Sequence, residues 1–110
     1  MNEDYKNWNE DEYLTFVLIH AAFADYEIQN EENDIISKIL PEDRFKKLIT
    51  FHKSNKDIDN INIIMSLTDR YCPTSESKKE IHGKIKSLFH ADGKYNFYEK
   101  NMDRIFDLIF

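Results

Sequence analysis

The chain has 110 residues, 41% of them hydrophobic, which suffices for one domain with one apolar core and is too short for two independent domains. The formal net charge of -6 argues against a general affinity for nucleic-acid phosphates or anionic lipid, and suits cations or basic protein surfaces better. Only two Gly and two Pro accompany eight Phe and six Tyr, so the composition favours helices over hairpins. We therefore predict one compact all-α domain over residues 1–110.

The composition also bears on the cellular compartment. No apolar run approaches the roughly 20 residues that cross a bilayer, and the first residues lack the basic-then-apolar order of a secretion signal. The single Cys72 cannot form an internal disulfide, which agrees with a reducing cytoplasm, and no neighbouring residue is an obvious activating base for it. We expect a cytoplasmic protein without membrane insertion, in which Cys72 is an inert thiol.

The first predicted helix begins at Asn9. Its side chain can accept a hydrogen bond from a helix-start amide, while Glu12 can reach back to the amide of Asn9. From Leu14 onward apolar residues cover most of the circumference, so this helix should be central and buried. A second helix is predicted over about residues 30–40. Its predicted inward residues are Ile35, Ile36, Ile39 and Leu40.

Four further helices are predicted beyond Pro41, giving about six in all. Pro41 suits the first turn of a third helix whose apolar stripe reaches His52. A fourth covers about residues 58–71, where helical spacing over this length outweighs the strand-like run of Ile. Ser77 with Glu80 predicts a capping box for the fifth helix. The predicted inward residues of the last three helices are Ile58, Ile61, Ile64, Met65, Thr68, Tyr71, Ile81, Ile85, Leu88, Phe89, Tyr98, Met102, Ile105, Phe106 and Ile109.

A short motif occurs twice in the chain. Ala24-Asp25 and Ala91-Asp92 each follow an apolar helix, and the two aspartates are 67 positions apart. At the same offset the chain pairs Ile28 with Tyr95, Gln29 with Asn96, Glu32 with Glu99, Ile35 with Met102 and Ile39 with Phe106. Both copies place a polar turn and an apolar anchor before an amphipathic helix, so we predict an internal pseudo-repeat of a helical hairpin.

Residues 21–32 and 91–99 resemble the two Ala-Asp-Gly-x-Ile-(Ser/Thr)-x-x-Glu turns of the TerB-like superfamily, which is named for tellurite resistance. The resemblance implies an all-helical bundle with an internal repeat, a role in bacterial stress response, and binding of metal ions by acidic turn residues. The chain departs from the pattern twice. Tyr26 stands where the family usually has Gly, and Lys94 stands where the first copy has Glu27. We therefore expect any cation site to be stronger at Asp25.

The acidic turns admit two interpretations. Asp25, Glu27 and Glu32 could supply the converging oxygens that Ca²⁺ or Mg²⁺ requires, with Asp92 and Glu99 in a weaker second site; the sequence does not distinguish Ca, Mg and Zn. Neither copy has the ligand spacing of an EF-hand. In the structural interpretation, Glu32 and Glu99 complete capping boxes while the aspartates accept from turn amides. Both interpretations remain open from the sequence.

The other candidate groups do not form a catalytic set. His20, His52, His82 and His90 lack the i, i+4 pairing of metal ligands, and we expect them to be partly buried or on the surface. A hydrolase that uses the paired acids is disfavoured, because a nucleophile and a base are missing. We expect a non-enzymatic module that binds a divalent cation, a protein partner or both through its acidic turns. The alternative is a purely structural protein-protein interaction bundle without metal.

Overall fold

The computed structural model describes residues 4–23 and 30–89 and, near the end of the chain, residues 104, 106, 107 and 109. Within these residues the chain is helical and has no strand, which confirms the all-α class. The radius of gyration is 12.9 Å, close to the roughly 13 Å of a compact domain of this length. The elements are a 3-10 helix at Tyr5–Asn7, then α1 (Glu10–Ala22), α2 (Asn30–Ile36), α3 (Glu42–Ser54), α4 (Asp57–Tyr71) and α5 (Ser75–Phe89).

The predicted start of α1 is confirmed. The Asn9 side chain accepts a hydrogen bond from the Glu12 amide at 2.8 Å, and the Glu12 carboxylate accepts one from the Asn9 amide at 3.0 Å. The second oxygen of Glu12 forms an ion pair with Arg44 of α3. One carboxylate therefore satisfies a helix-start amide and also joins α1 to α3.

The α1 helix is the centre of the bundle, as its nearly continuous apolar circumference predicts. It packs against α2, α3, α4 and α5. A helix that is apolar on all sides loses exposed surface only when neighbours surround it, so the other helices enclose α1. Its buried residues are Tyr13, Thr15, Phe16, Val17, Leu18, Ile19, His20, Ala21 and Ala22.

The α2 helix is shorter than predicted. It ends at Ile36, and a turn at residues 37–39 follows, in which the Ile39 amide donates to the Ile36 carbonyl. Leu40 precedes Pro41, and the proline ring disfavours helical backbone at that position, so the helix cannot continue through it. The prediction that Ile35 faces inward is wrong, since 42% of its surface is exposed, whereas Ile36 is fully buried.

The predicted inward face of α4 is partly wrong, although the choice of helix over strand is confirmed. Ile64 and Thr68 are buried as predicted, but Ile58 and Met65 are 59% and 54% exposed. The side of α4 that packs on α1 is centred near Ile64 and Leu67, and Ile58 and Met65 fall on the opposite side of the helical wheel. The run of apolar residues in α4 therefore covers more than its core face.

The α5 helix begins two residues before the predicted capping box. Thr74 and Ser77 cap the helix reciprocally: the Ser77 amide donates to the Thr74 hydroxyl oxygen, and the Thr74 amide donates to the Ser77 hydroxyl oxygen, both at 3.1 Å. The predicted pair of Ser77 and Glu80 is therefore not the cap. Helix formation starts directly after the break at Pro73, before Ser77 is reached.

The third predicted helix is confirmed, and the sixth lies mostly outside the described residues. Pro41 precedes the first residue of α3, and Phe45, Leu48 and His52 are buried as the apolar stripe predicts. Of the sixth predicted helix, Phe106 is fully buried in helical conformation. The count of six helices and the internal repeat stay predictions.

Candidate functional site

An open groove of about 540 Å³ lies between α1, α2 and α5, with a mainly apolar lining. Its floor is apolar and is formed by Leu14 and Leu18 of α1. One wall is made by Ile35, at the end of α2, and by Ile39 in the turn that follows. The exposure of Ile35, which the sequence did not predict, is thus part of this wall. We call this feature the apolar groove.

The second wall of the apolar groove is one face of α5. It consists of Glu80, Gly83, Lys84 and Ser87, whose i, i+3, i+4, i+7 spacing puts them on one side of the helix. Gly83 is exposed, and a Cβ atom added there would meet nothing within 4 Å. Packing therefore does not require glycine, which costs a helix interior roughly 0.5–1 kcal/mol relative to alanine. Because glycine has no side chain, this position of the second wall leaves space in the groove.

One end of the apolar groove is acidic. Glu10 and Asp11 are exposed one turn before Leu14 on α1, and Glu76 is exposed one turn before Glu80 on α5. Glu10 and Lys78 both act on the Cys72 thiol, so the beginnings of α1 and α5 lie at the same end of the bundle. The exposed carboxylates of Glu10, Asp11 and Glu76 therefore lie about one helical turn from groove residues at this end.

The cation that lines the groove, Lys84, is paired with one carboxylate and leaves the others unpaired by it. The Lys84 ammonium lies 3.9 Å from a carboxylate oxygen of Glu80 on the exposed surface of α5. An exposed ion pair at this distance contributes little to the stability of the fold. It does place the Lys84 charge next to a carboxylate of the same helix. The electrostatics of the groove thus favour a cationic group at its acidic end.

A buried pair of histidines joins the last turns of α1 and α3. His20 Nδ1 and His52 Nε2 are 2.9 Å apart, and the two residues are only 1% and 5% exposed. The Phe23 ring stacks on His52 with centroids 5.1 Å apart, and Phe16 and Phe106 contact the pair edge-on. The rings therefore share one hydrogen bond inside an aromatic enclosure.

Burial keeps both histidines neutral. It lowers the pKa of His20 from 6.5 to about 4, against a smaller opposing effect of Asp57. Burial also lowers the pKa of His52 to about 3, and His20 and Lys53 add to the effect. Near neutral pH one ring donates and the other accepts, while His20 Nε2 is buried without a hydrogen-bond partner. This arrangement fits core packing better than proton transfer to a substrate.

Spacing along the sequence could not reveal this pair, because the two histidines are 32 positions apart. A usable signal existed in each helix separately: His20 follows Phe16 by four positions, and His52 follows Leu48 by four, so each lies on an apolar face. His82 differs from both, since its Nε2 lies 2.9 Å from a carboxylate oxygen of Asp107. His90 lies outside the described residues.

The predicted metal ligands fall almost entirely outside the part of the chain that the structure describes. This holds for Asp25, Glu27, Asp92 and Glu99, while for Glu32 only its place in the helix α2 is described. Among the described residues, no group of three or more His, Cys, Asp and Glu side chains could hold a metal ion. The acidic-turn site therefore stays a prediction.

Cys72 is the residue that follows α4, and it is buried. Burial raises the pKa of its thiol, with a weaker opposing effect from a hydrogen bond with Tyr13. A nucleophilic cysteine needs a lowered pKa and access to its substrate, and Cys72 has neither. Its environment agrees with an inert thiol.

Comparisons with known proteins do not assign the chain to a family. No protein-family model matches it, and none of the curated proteins or solved structures is significantly similar to it. Among the described helices, none combines the length and the apolar character that crossing a membrane requires.

Proposed function

We propose that the chain is a non-enzymatic, TerB-like binding module whose apolar groove receives an amphipathic helix with basic flanks from a protein partner. The observation that carries the proposal is the groove itself. Its floor is apolar, with Leu14 partly exposed and Leu18 buried, and it lies between two helical walls. Partner helices bind in grooves of this kind through residues spaced i, i+3, i+4 and i+7.

The charge of the partner follows from the acidic end of the groove. Glu10, Asp11 and Glu76 lie about one helical turn from groove residues at that end, and the chain as a whole carries a formal charge of -6. Apolar contacts would supply most of the affinity, while lysine or arginine on the partner helix would fix its direction and speed its association. An acidic helix of the same shape would be repelled.

Two synthetic helices of about four turns test the proposal. Both present a leucine stripe; one has lysine flanks and the other glutamate flanks. Fluorescence anisotropy should show binding of the lysine peptide in roughly the micromolar range, with loss of affinity at high salt and weak or no binding of the glutamate peptide. Equal binding of the two peptides would contradict the assigned charge.

A pair of tryptophan variants then locates the binding site. Gly83→Trp places a large ring in the apolar groove, where the backbone leaves open space, and should reduce affinity for the lysine peptide at least about tenfold, or about 1.4 kcal/mol. Lys47→Trp, at an exposed position of α3 outside the groove, is the matched control and should bind normally. Undiminished binding by Gly83→Trp would rule out the groove as the binding site.

The acidic turns carry the cation half of the proposal, which rests on the sequence and on the resemblance to TerB-like domains. Asp25, Glu27 and Glu32 form the stronger predicted site, and Asp92 and Glu99 the weaker one. Titration of the chain with Ca²⁺, Mg²⁺ and Zn²⁺ should shift NMR signals locally around Asp25 and Asp92. If no local shift occurs, the turns bind no cation.

The alternative, in which these acids serve only as helix caps, makes a separate prediction. Asp25→Asn and Glu27→Gln would then leave peptide binding and Tm nearly unchanged in buffer that contains metal ions, because the amides occupy the same space and retain an acceptor oxygen. A loss of Tm that appears only with the metal present would favour a cation site instead.

A further inference from the structure

The outward side of α4 carries a line of four side chains that the core does not use. Ile58, Asn62, Met65 and Asp69 follow one another at intervals of four, three and four residues, so they share the helix side opposite Ile64 and Leu67. Ile58 and Met65 are the most exposed large apolar residues of the described chain, at 59% and 54%. We call this line the α4 seam.

We infer that the α4 seam is a contact between two copies of this chain, paired antiparallel about a two-fold axis. The spacing is the one by which helices pack into a coiled-coil seam. In the antiparallel register that sets Ile58 against Met65 of the second copy, the same contact recurs on the other side of the axis. Both exposed apolar residues are then covered by a single arrangement.

Asn62 supports this register. With Ile58 opposite Met65, the axis passes between positions 61 and 62, so the Asn62 side chains of the two copies meet beside it. An amide is both donor and acceptor and can pair with its own copy. A single polar residue in an apolar seam commonly fixes the register and the number of helices.

The charges along α4 select the antiparallel direction. In a parallel pair each seam residue meets its own copy, which would place Asp69 against Asp69. The antiparallel register brings Asp69 within about one helical turn of Lys56 of the second copy. Both residues are exposed, and neither forms an ion pair within the described part of the chain. The seam is therefore complementary to itself in charge as well as in apolar surface.

The size of the seam implies a weak dimer. It involves one face of one helix of 15 residues in each copy, well below the interface of about 1,600 Å² that is typical of stable complexes. We expect a Kd on the order of 10 to 1,000 μM, so the dimer should form and dissociate with concentration. Sedimentation equilibrium of the full chain over that range should show a monomer-dimer equilibrium, and a monomer throughout would overturn the inference.

Charge substitutions test the register. Ile58→Lys alone and Met65→Glu alone each place a charge against an apolar residue of the second copy, and each should raise Kd at least about tenfold. The double variant places each lysine against a glutamate and should restore association in a salt-dependent way. Failure of the double variant to recover, while its circular dichroism spectrum stays helical, would refute the antiparallel register.

Chemical crosslinking tests the axis independently. Asn62→Cys should crosslink with a short bis-maleimide, because the two copies meet there, whereas Lys47→Cys on α3 should not. The natural Cys72 is buried and does not compete. Equal crosslinking of the two variants would overturn the proposed contact.

The α4 seam and the apolar groove are separate surfaces. The Gly83→Trp variant should therefore dimerise normally, and failure of either proposal leaves the other testable.

Discussion

Acid should destabilise this protein through its buried histidines. His20 and His52 are neutral in the folded chain, with pKa values of about 4 and about 3, but in the unfolded chain each takes a proton near pH 6.5. As the pH falls below 6.5, the unfolded state therefore binds protons that the folded state does not bind, and the folded state loses stability relative to it. Stability conferred by the pair is fully present above that pH and is lost as the pH falls toward the folded pKa values.

The size of this loss follows from the pKa differences. For His20 alone, lowering the pKa from 6.5 to about 4 corresponds to about 3 kcal/mol of folding free energy, and His52 acts in the same direction. The free energy of unfolding of such domains is only about 5–15 kcal/mol, so protonation of the pair would remove a large fraction of it.

A double substitution separates this effect from ordinary carboxylate titration. His20→Asn with His52→Gln places amide groups near the two bonded ring nitrogens, retains a donor and an acceptor, and removes both titrations. Urea unfolding followed by circular dichroism at pH 7 and pH 4.5 should show the natural chain losing at least about 3 kcal/mol more than the double variant. If both lose the same amount, the histidines are not held neutral by burial.

Three further predictions concern single residues. Gly83→Ala should raise the free energy of unfolding by about 0.5–1 kcal/mol, because the methyl group meets no neighbour; a decrease in urea unfolding would show that the glycine has a packing role. Asn9→Ala should lower it by about 1 kcal/mol through loss of the cap, whereas Asn62→Ala, which removes no cap, should be nearly neutral in dilute solution. Cys72 should react with a thiol reagent only after urea unfolding; fast reaction of the folded chain would contradict its burial.

Local signals in the sequence predicted the helix starts that depend on neighbouring residues. The hydrogen bonds between Asn9 and Glu12 span three positions, so the pattern of residue types contains them in full. The start of α5 could not be predicted from neighbouring residue types alone. Thr74 with Ser77 and Ser77 with Glu80 both fit a capping pattern, and the break at Pro73 decides between them.

Features that depend on tertiary contacts could not be predicted from one helix at a time. The apolar residues of α4 run around the helix, and only its packing on α1 determines that Ile64 faces the core while Met65 faces solvent. The apolar groove likewise needs three helices to exist. His20 and His52 meet because α1 and α3 lie side by side, and no periodic pattern in either helix encodes that contact.

The position of α1 in the chain also has a consequence for synthesis on the ribosome. The helix that fills the centre of the bundle is made first, and the last described α-helix that encloses it ends only at Phe89. At roughly 5–20 residues per second, its apolar surface has no complete set of neighbours for several seconds. During that interval we expect α1 to bind chaperones that recognise apolar segments. Slowing translation beyond Ala22 should therefore lower the soluble yield more than slowing it before Glu10.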